Sequence, residues 1–355
     1  MPLDPFFAER LRVHRRYLFD QALGSMRKRL WALWPFGRTS VPAPEKGASA
    51  STPKKQKKPM TPRERHRRAA LAWDRTELRT VGTPGPQMRT TEHEVAVPGQ
   101  TSVRVRIYRP DADGPVPGVL AFYGGAFRIG GIDYPTTDAA YRRRAADAGV
   151  AIVAVDYALA PEQRYPVQLE QAYAALEWLF AEAGALGIDA ERVGVAGTSA
   201  GANLAAAVTL ANRDRAALPV RLQVLEVPVV DLTGAHLDLR ATRALGIPRF
   251  IVVRELRSVA RTYLPSTRRA REPYASPLRA ASHEGLPPAV ILTAEYDPLR
   301  GDGDAYGAAL RAAGVDASVV RYQGVTHDTA IFTGVLPAAR RWHDDVVTAL
   351  RRLHA

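Results

Sequence analysis

The five residues Gly197-Thr198-Ser199-Ala200-Gly201 constrain this chain more than any other stretch. They follow Arg192-Val193-Gly194-Val195-Ala196 and lead into an alanine-rich run. A short apolar strand turning sharply into a helix lifts a serine hydroxyl above a sheet, and glycines on either side let neighbouring backbone come close. A serine hydroxyl is a weak nucleophile until a base takes its proton. The pattern therefore demands an acid and a histidine downstream, each at a strand end. Taken alone, Ser199 reads equally well as a helix N-cap.

The downstream residues supply both. Pro288–Ala294 is an apolar strand running into Glu295-Tyr296-Asp297-Pro298-Leu299. A helical stretch from Asp302 to Ala313, closed by Gly314, leads to the strand Ala317–Tyr322 and then to Gln323-Gly324-Val325-Thr326-His327. The order Ser199, Asp297, His327 is that of serine, acid and base in an α/β-hydrolase. All three stand past the carboxyl ends of strands, where open α/β sheets carry their sites. Glu295 and Asp302 are rival acids. Among the eight histidines, only His327 follows a strand beyond the acid, apart from His343 and His354 on an amphipathic last helix. An oxyanion site needs backbone N–H groups aimed at developing charge. Ala200 offers one. Gly124 and Gly125 offer two more, in the loop Tyr123-Gly124-Gly125-Ala126-Phe127 that follows the apolar run Val119–Phe122.

Four stretches together resemble the hormone-sensitive-lipase family of α/β-hydrolases, the bacterial family IV esterases. They are Tyr123–Phe127, Val155-Asp156-Tyr157-Ala158-Leu159-Ala160-Pro161-Glu162, Gly197–Asn203 and Asp297-Pro298-Leu299-Arg300. Threonine before the serine resembles the GTSAG-type branch. The resemblance implies a mostly parallel central sheet with helices on both faces and a helical cap. It also implies a carboxylesterase acting on small or short-acyl esters. Its triad would be Ser199, Asp297 and His327, and its oxyanion donors Gly124, Gly125 and Ala200. Two positions depart from the family loop: Tyr123 stands for histidine and Ala126 for the third glycine. Alanine can still donate its N–H provided its φ is negative. The same triad would serve an amidase, a lactonase or a peptidase. A ligand-binding protein on this fold is a reading of another class; receptor-like relatives lack the triad histidine, which this chain keeps as His327.

Charge separates two regions. The formal net charge is +13, yet residues 1–80 hold 19 Lys and Arg against 7 Asp and Glu. The remaining 275 residues hold 30 against 29, so the site region is near neutral. Phe6–Trp34 has helical character, 35–60 reads as a flexible linker, and Thr61-Pro62 opens a helix running to about Leu78. By family analogy residues 1–80 and an insertion near 232–274 form the cap over a catalytic domain at 81–355. The basic run reads first as solvated linker, and second as a contact for anionic membrane or nucleic acid. Family analogy also raises a homodimer. No stretch approaches a membrane span and no secretory segment opens the chain, so a cytoplasmic location is expected. With no cysteine and no zinc-like histidine spacing, neither metal nor cofactor is expected. Strands are expected near 103–108, 118–123, 150–155, 192–197, 222–229, 288–294 and 317–322, with helices between them.

Overall fold

The computed structural model describes residues 2–13 and 60–355. The linker expected at 35–60 and most of the helix expected over Phe6–Trp34 lie outside the described residues; residues 5–13 are helical. By compactness the chain divides into Leu3–His66 and, with the first two residues, Arg67–Ala355. Helix α1, Pro62–Thr80, crosses that boundary. It opens on a reciprocal capping box: the Thr61 N–H donates to Glu64 Oε2 at 2.6 Å and the Glu64 N–H to Thr61 Oγ1 at 3.2 Å.

In the larger unit, three successive strands are followed by five that alternate with helices. In chain order they are β1 Arg89–Val95, β2 Val103–Arg109, β3 Val116–Phe122, α2 Pro135–Ala148, β4 Ala151–Val155, α3 Val167–Leu186, β5 Ile188–Thr198, α4 Ala200–Arg215 and β6 Val220–Glu226. Then follow α5 Leu239–Ala244, α6 Arg249–Tyr263, β7 Ala289–Ala294, α7 Arg300–Ala312, β8 Ala317–Tyr322 and α8 Pro337–Arg351. The sheet order is β1-β2-β4-β3-β5-β6-β7-β8. β1 and β2 pair antiparallel, as do β2 and β4; every other pairing is parallel. β3 and β4 are buried along their whole length, because helices cover both faces of a parallel sheet and the strand needs no polar side. α2 packs with α8, and α3 with α4.

Strand β1 was not expected from the sequence. Its residues, Arg89-Thr90-Thr91-Glu92-His93-Glu94-Val95, carry almost no apolar signal because β1 is an edge and largely exposed. Its complement is written in β2: Glu92 stands opposite Arg106, and Glu94 opposite Arg104. Opposite charges facing across a pair stabilise it modestly. The β6 strand stops at Glu226 rather than near 229, where Val227 takes a φ of 41°. Among the described residues, no helix is long and apolar enough to cross a membrane.

Within the stretch 232–274 lie α5, α6 and a 3-10 turn at Thr267–Arg271. Asp238 caps α5, accepting from the Arg240 N–H at 3.0 Å, and forms an ion pair with Arg300 at 2.7 Å. α6 lies against the loop after β3: Tyr263 stacks on Phe127 with ring centroids 3.7 Å apart, and Arg128 pairs with Glu255.

Candidate active site

The chain between β5 and α4 makes a turn that only small neighbours permit. A Cβ on Gly197 would stand 2.2 Å from the Gly201 carbonyl oxygen, and one on Gly201 would stand 2.2 Å from the Phe122 oxygen. Helix α4 is therefore drawn onto the end of the sheet, and its residues Ala200 to Asn212 are all buried. Between the glycines, Ser199 sits at φ 55°, ψ −113°. A non-glycine residue in that region costs on the order of 1–3 kcal/mol and persists only where its surroundings hold it. Its own N–H donates to the Glu226 carbonyl at 2.8 Å. The non-glycine residues with positive φ include Ala126, Phe127 and Ser199, so backbone strain collects at this end of the sheet.

The Ser199 hydroxyl lies 3.0 Å from Nε2 of His327, and Nδ1 of His327 lies 2.7 Å from Asp297 Oδ2. Asp297 is 2 % exposed and closes the turn after β7 by accepting the Leu299 N–H at 2.9 Å. Burial alone would push the imidazole down. The charge of Asp297 and its hydrogen bond outweigh that, and His327 is raised to about 9. The two rival acids do other work. Glu295 accepts the Gly324 N–H at 2.7 Å and so shapes the loop that carries His327. Asp302 accepts the N–H groups of Val230 and Asp231, both at 2.9 Å. Burial pushes its carboxyl up to about 8.

The loop after β3 lies against the serine. A Cβ on Gly124 would be 3.6 Å from the Ser199 Cβ. Gly125 has φ +135°, and a Cβ there would meet the Ile129 oxygen at 2.0 Å. Among the described residues, the N–H groups of Gly124, Gly125 and Ala126 have no acceptor within the protein. The Ala200 N–H heads its helix and has no partner inside it. The expectation for Ala126 needs correcting, since its φ is 54° rather than negative. An N–H lies in the peptide plane that precedes its Cα, so this φ adds strain without withdrawing the donor. That is why a glycine would be more comfortable here.

Tyr123 occupies the position of the usual histidine. Its ring stacks on Tyr157 at 4.3 Å. The two exchange hydrogen bonds, Tyr123 Oη to the Tyr157 carbonyl at 3.0 Å and Tyr157 Oη to the Tyr123 carbonyl at 2.8 Å. Burial raises both phenols well above their ordinary range, so they act as neutral donors. The loop is thus tied to the segment after β4 by a reciprocal tyrosine pair.

Sequence reasoning assigned nothing to Glu226. It is 1 % exposed and sits beneath the serine turn. It accepts from Thr198 Oγ1 at 3.0 Å, the Arg144 guanidinium at 2.8 Å and Trp342 Nε1 at 2.7 Å. The available signal was a charged residue inside an otherwise buried strand, which occurs only when it is paired. Above the sheet end, a cavity of about 390 Å³ is bordered by Ser199, His327, Gly124, Gly125, Ala126 and Tyr123, and extends along α1 and α2.

A family model described as an alpha/beta hydrolase fold matches residues 119–331, more than half of the chain. The chain is 36% identical over 294 residues to Carboxylesterase NlhH of Mycobacterium tuberculosis, covering 79% of this chain and 89% of that protein. It is 35% identical over 253 residues to an ethyl acetate hydrolase of Pseudomonas putida, covering 70% and 78%. Among solved structures, EstE1, a thermostable carboxylesterase cloned from a metagenomic library, superposes with a TM-score of 0.76 at 35% identity, covering 82% of this chain and 98% of that one. A Pyrobaculum calidifontis esterase gives 0.75 at 32%, covering 85% and 96%.

Proposed function

The chain belongs to the α/β-hydrolase-fold family and is a carboxylesterase-type hydrolase, and from that premise we propose that Ser199, His327 and Asp297 are its catalytic triad and that it acts on small or short-acyl esters. The observation that carries this reading is the unbroken hydrogen-bond chain of 3.0 and 2.7 Å from Ser199 through His327 to Asp297. His327 takes the proton of Ser199 as its oxygen attacks the ester carbonyl. Asp297 holds the imidazole in the tautomer that presents Nε2 and stabilises the imidazolium. The tetrahedral oxyanion accepts from the N–H groups of Gly124, Gly125 and Ala200, with Ala126 as a further donor. His327 then protonates the departing alcohol, leaving an acyl group on Ser199. Water, deprotonated by the same imidazole, releases the acid and restores the serine.

Supporting the preference for small esters are the modest cavity and the name of the Pseudomonas putida relative, an ethyl acetate hydrolase. We assign the insertion at 232–274 to a cap, on the packing of α6 against Phe127 and Arg128. A homodimer through an edge strand or the last helix, and contact of the basic segment with anionic membrane or nucleic acid, are further proposals on analogy and charge.

Ser199→Ala should abolish hydrolysis of a p-nitrophenyl short-chain ester while leaving the melting temperature within a few degrees. A fluorophosphonate probe should label the parent and not the variant. Retained hydrolysis at the parent rate would remove Ser199 from the mechanism.

A further inference from the structure

Behind the oxyanion loop, the cavity that borders Ser199 and His327 is also bordered by Arg143 and Arg144 on α2 and by His343 on α8. Ala126, Ile129, Ala140 and Ile331 supply apolar wall. Two arginines and a histidine thus lie on the border of an otherwise largely apolar cavity.

Most of the ionisable groups here are already committed. Arg144 is paired with Glu226 at 2.8 Å. His343 is bonded to Asp147 at 2.8 Å, and burial holds it below its ordinary range, so it is neutral near pH 7. Asp74, the carboxylate on the α1 side, accepts the Thr136 N–H at 3.0 Å and the Thr136 hydroxyl.

Arg143 stands apart. One of its terminal nitrogens donates to the Thr83 carbonyl, but among the described residues it forms no ion pair. Its Nε is buried with no acceptor, and so is the Nε of Arg144. Burial and the neighbouring Arg144 lower Arg143 to about 10, which still leaves it charged at neutral pH. Asp147 offsets part of the charge of this half-buried guanidinium from beyond ion-pair distance, and a buried N–H without an acceptor is costly. A planar guanidinium is suited to a carboxylate, which can accept two parallel hydrogen bonds from it.

We propose that Arg143 forms an anion subsite, and that the preferred esters carry a carboxylate at the end remote from the scissile bond. The proposal rests on the serine-esterase reading and narrows its substrate class. The apolar wall between Ser199 and Arg143 takes the methylene chain, and the guanidinium takes the terminal charge. The carboxylate is not altered in the reaction.

The test compares charged and neutral esters of matched length on the intact chain. One arm uses p-nitrophenyl hemiesters of the dicarboxylic acids from succinate to suberate, against the same compounds with the free carboxylate methylated. The other arm uses acetate esters of ω-hydroxy acids, against their methyl esters; this places the charge on the alcohol side. The wild type should favour the charged member of at least one arm in kcat/KM by about 10–100-fold, the range of a charge-assisted hydrogen bond. A maximum at one chain length is also expected. Arg143→Gln should erase that ratio and leave the neutral ester within about threefold; Arg143→Lys should keep part of it.

A wild-type ratio at or below one in both arms would overturn the proposal without needing any variant. So would an Arg143→Gln protein that loses charged and neutral turnover alike. If neutral esters are hydrolysed with no charge preference, the anion subsite falls and the esterase reading stands. If no ester is hydrolysed and fluorophosphonate leaves Ser199 unlabelled, both fall.

Discussion

Replacing Glu226 with alanine should destabilise the protein more than any single change on its surface. The carboxylate is 1 % exposed and its partner Arg144 is 8 % exposed, so the 2.8 Å ion pair is screened little by water. With charge centres about 4 Å apart at an effective dielectric near 20, the Coulomb attraction is about 4 kcal/mol before desolvation. Removing one partner strands the other, and such losses run at roughly 3–5 kcal/mol. Thr198 Oγ1 and Trp342 Nε1 lose their acceptor as well. For a domain of this size each kcal/mol moves the melting temperature by about 2 °C, giving a fall of about 6–10 °C. Circular dichroism melts on the parent, Glu226→Ala and Arg144→Met/Glu226→Leu would measure it. The double variant should recover the part of the loss due to the stranded charge, because an apolar pair of similar volume leaves none, while Thr198 Oγ1 and Trp342 Nε1 still lack their acceptor. Because Thr198 directly precedes Ser199, Glu226→Ala should also lower kcat at temperatures where it is folded. A Glu226→Ala melt within 1 °C of the parent would refute the account, as would a double variant less stable than the single one.

In the proposed mechanism His327 must be neutral to accept the serine proton, and it is raised to about 9; kcat/KM for a neutral ester should therefore climb about tenfold per pH unit and level off above about pH 9. The stability effect has the opposite sense: the His327–Asp297 ion pair contributes fully below the ordinary histidine value of 6.5 and is lost as pH rises through about 9, readable in urea midpoints. Asp297→Asn should shift the kinetic inflection downward and cut kcat by about 10⁴, as the imidazole loses its orienting acceptor. Gly125→Ala places a methyl 2.0 Å from the Ile129 oxygen at φ +135°, so the loop must move; a loss of about 10²–10³ in kcat with KM little changed is expected in steady-state assays.

The residues that could be read from the sequence are those whose role is written locally. Gly197 and Gly201 flank the serine because backbone oxygens stand 2.2 Å from where a Cβ would be, and that crowding forces a visible motif. The parallel strands could be read because burial on both faces leaves a plain apolar run, as in Ala151–Val155. Where a role depends on a distant partner, the local signal fades. β1 is a polar edge whose only signature is charge complementarity with Arg104 and Arg106, fourteen or fewer positions away, which no hydrophobic period reports. Glu226 is harder still, because its three side-chain partners come from β5, α2 and α8, and nothing in Leu222–Val227 states which of them will arrive. Tyr123 shows the same limit from the other side. It looks like a loss when set against the family histidine, but Tyr157, thirty-four positions on, returns its hydrogen bond and stacks on its ring. A substitution in a catalytic loop is therefore judged by the partner that meets it. The exchange of histidine for tyrosine here removes a ring that could charge near neutral pH and puts in its place one that stays neutral.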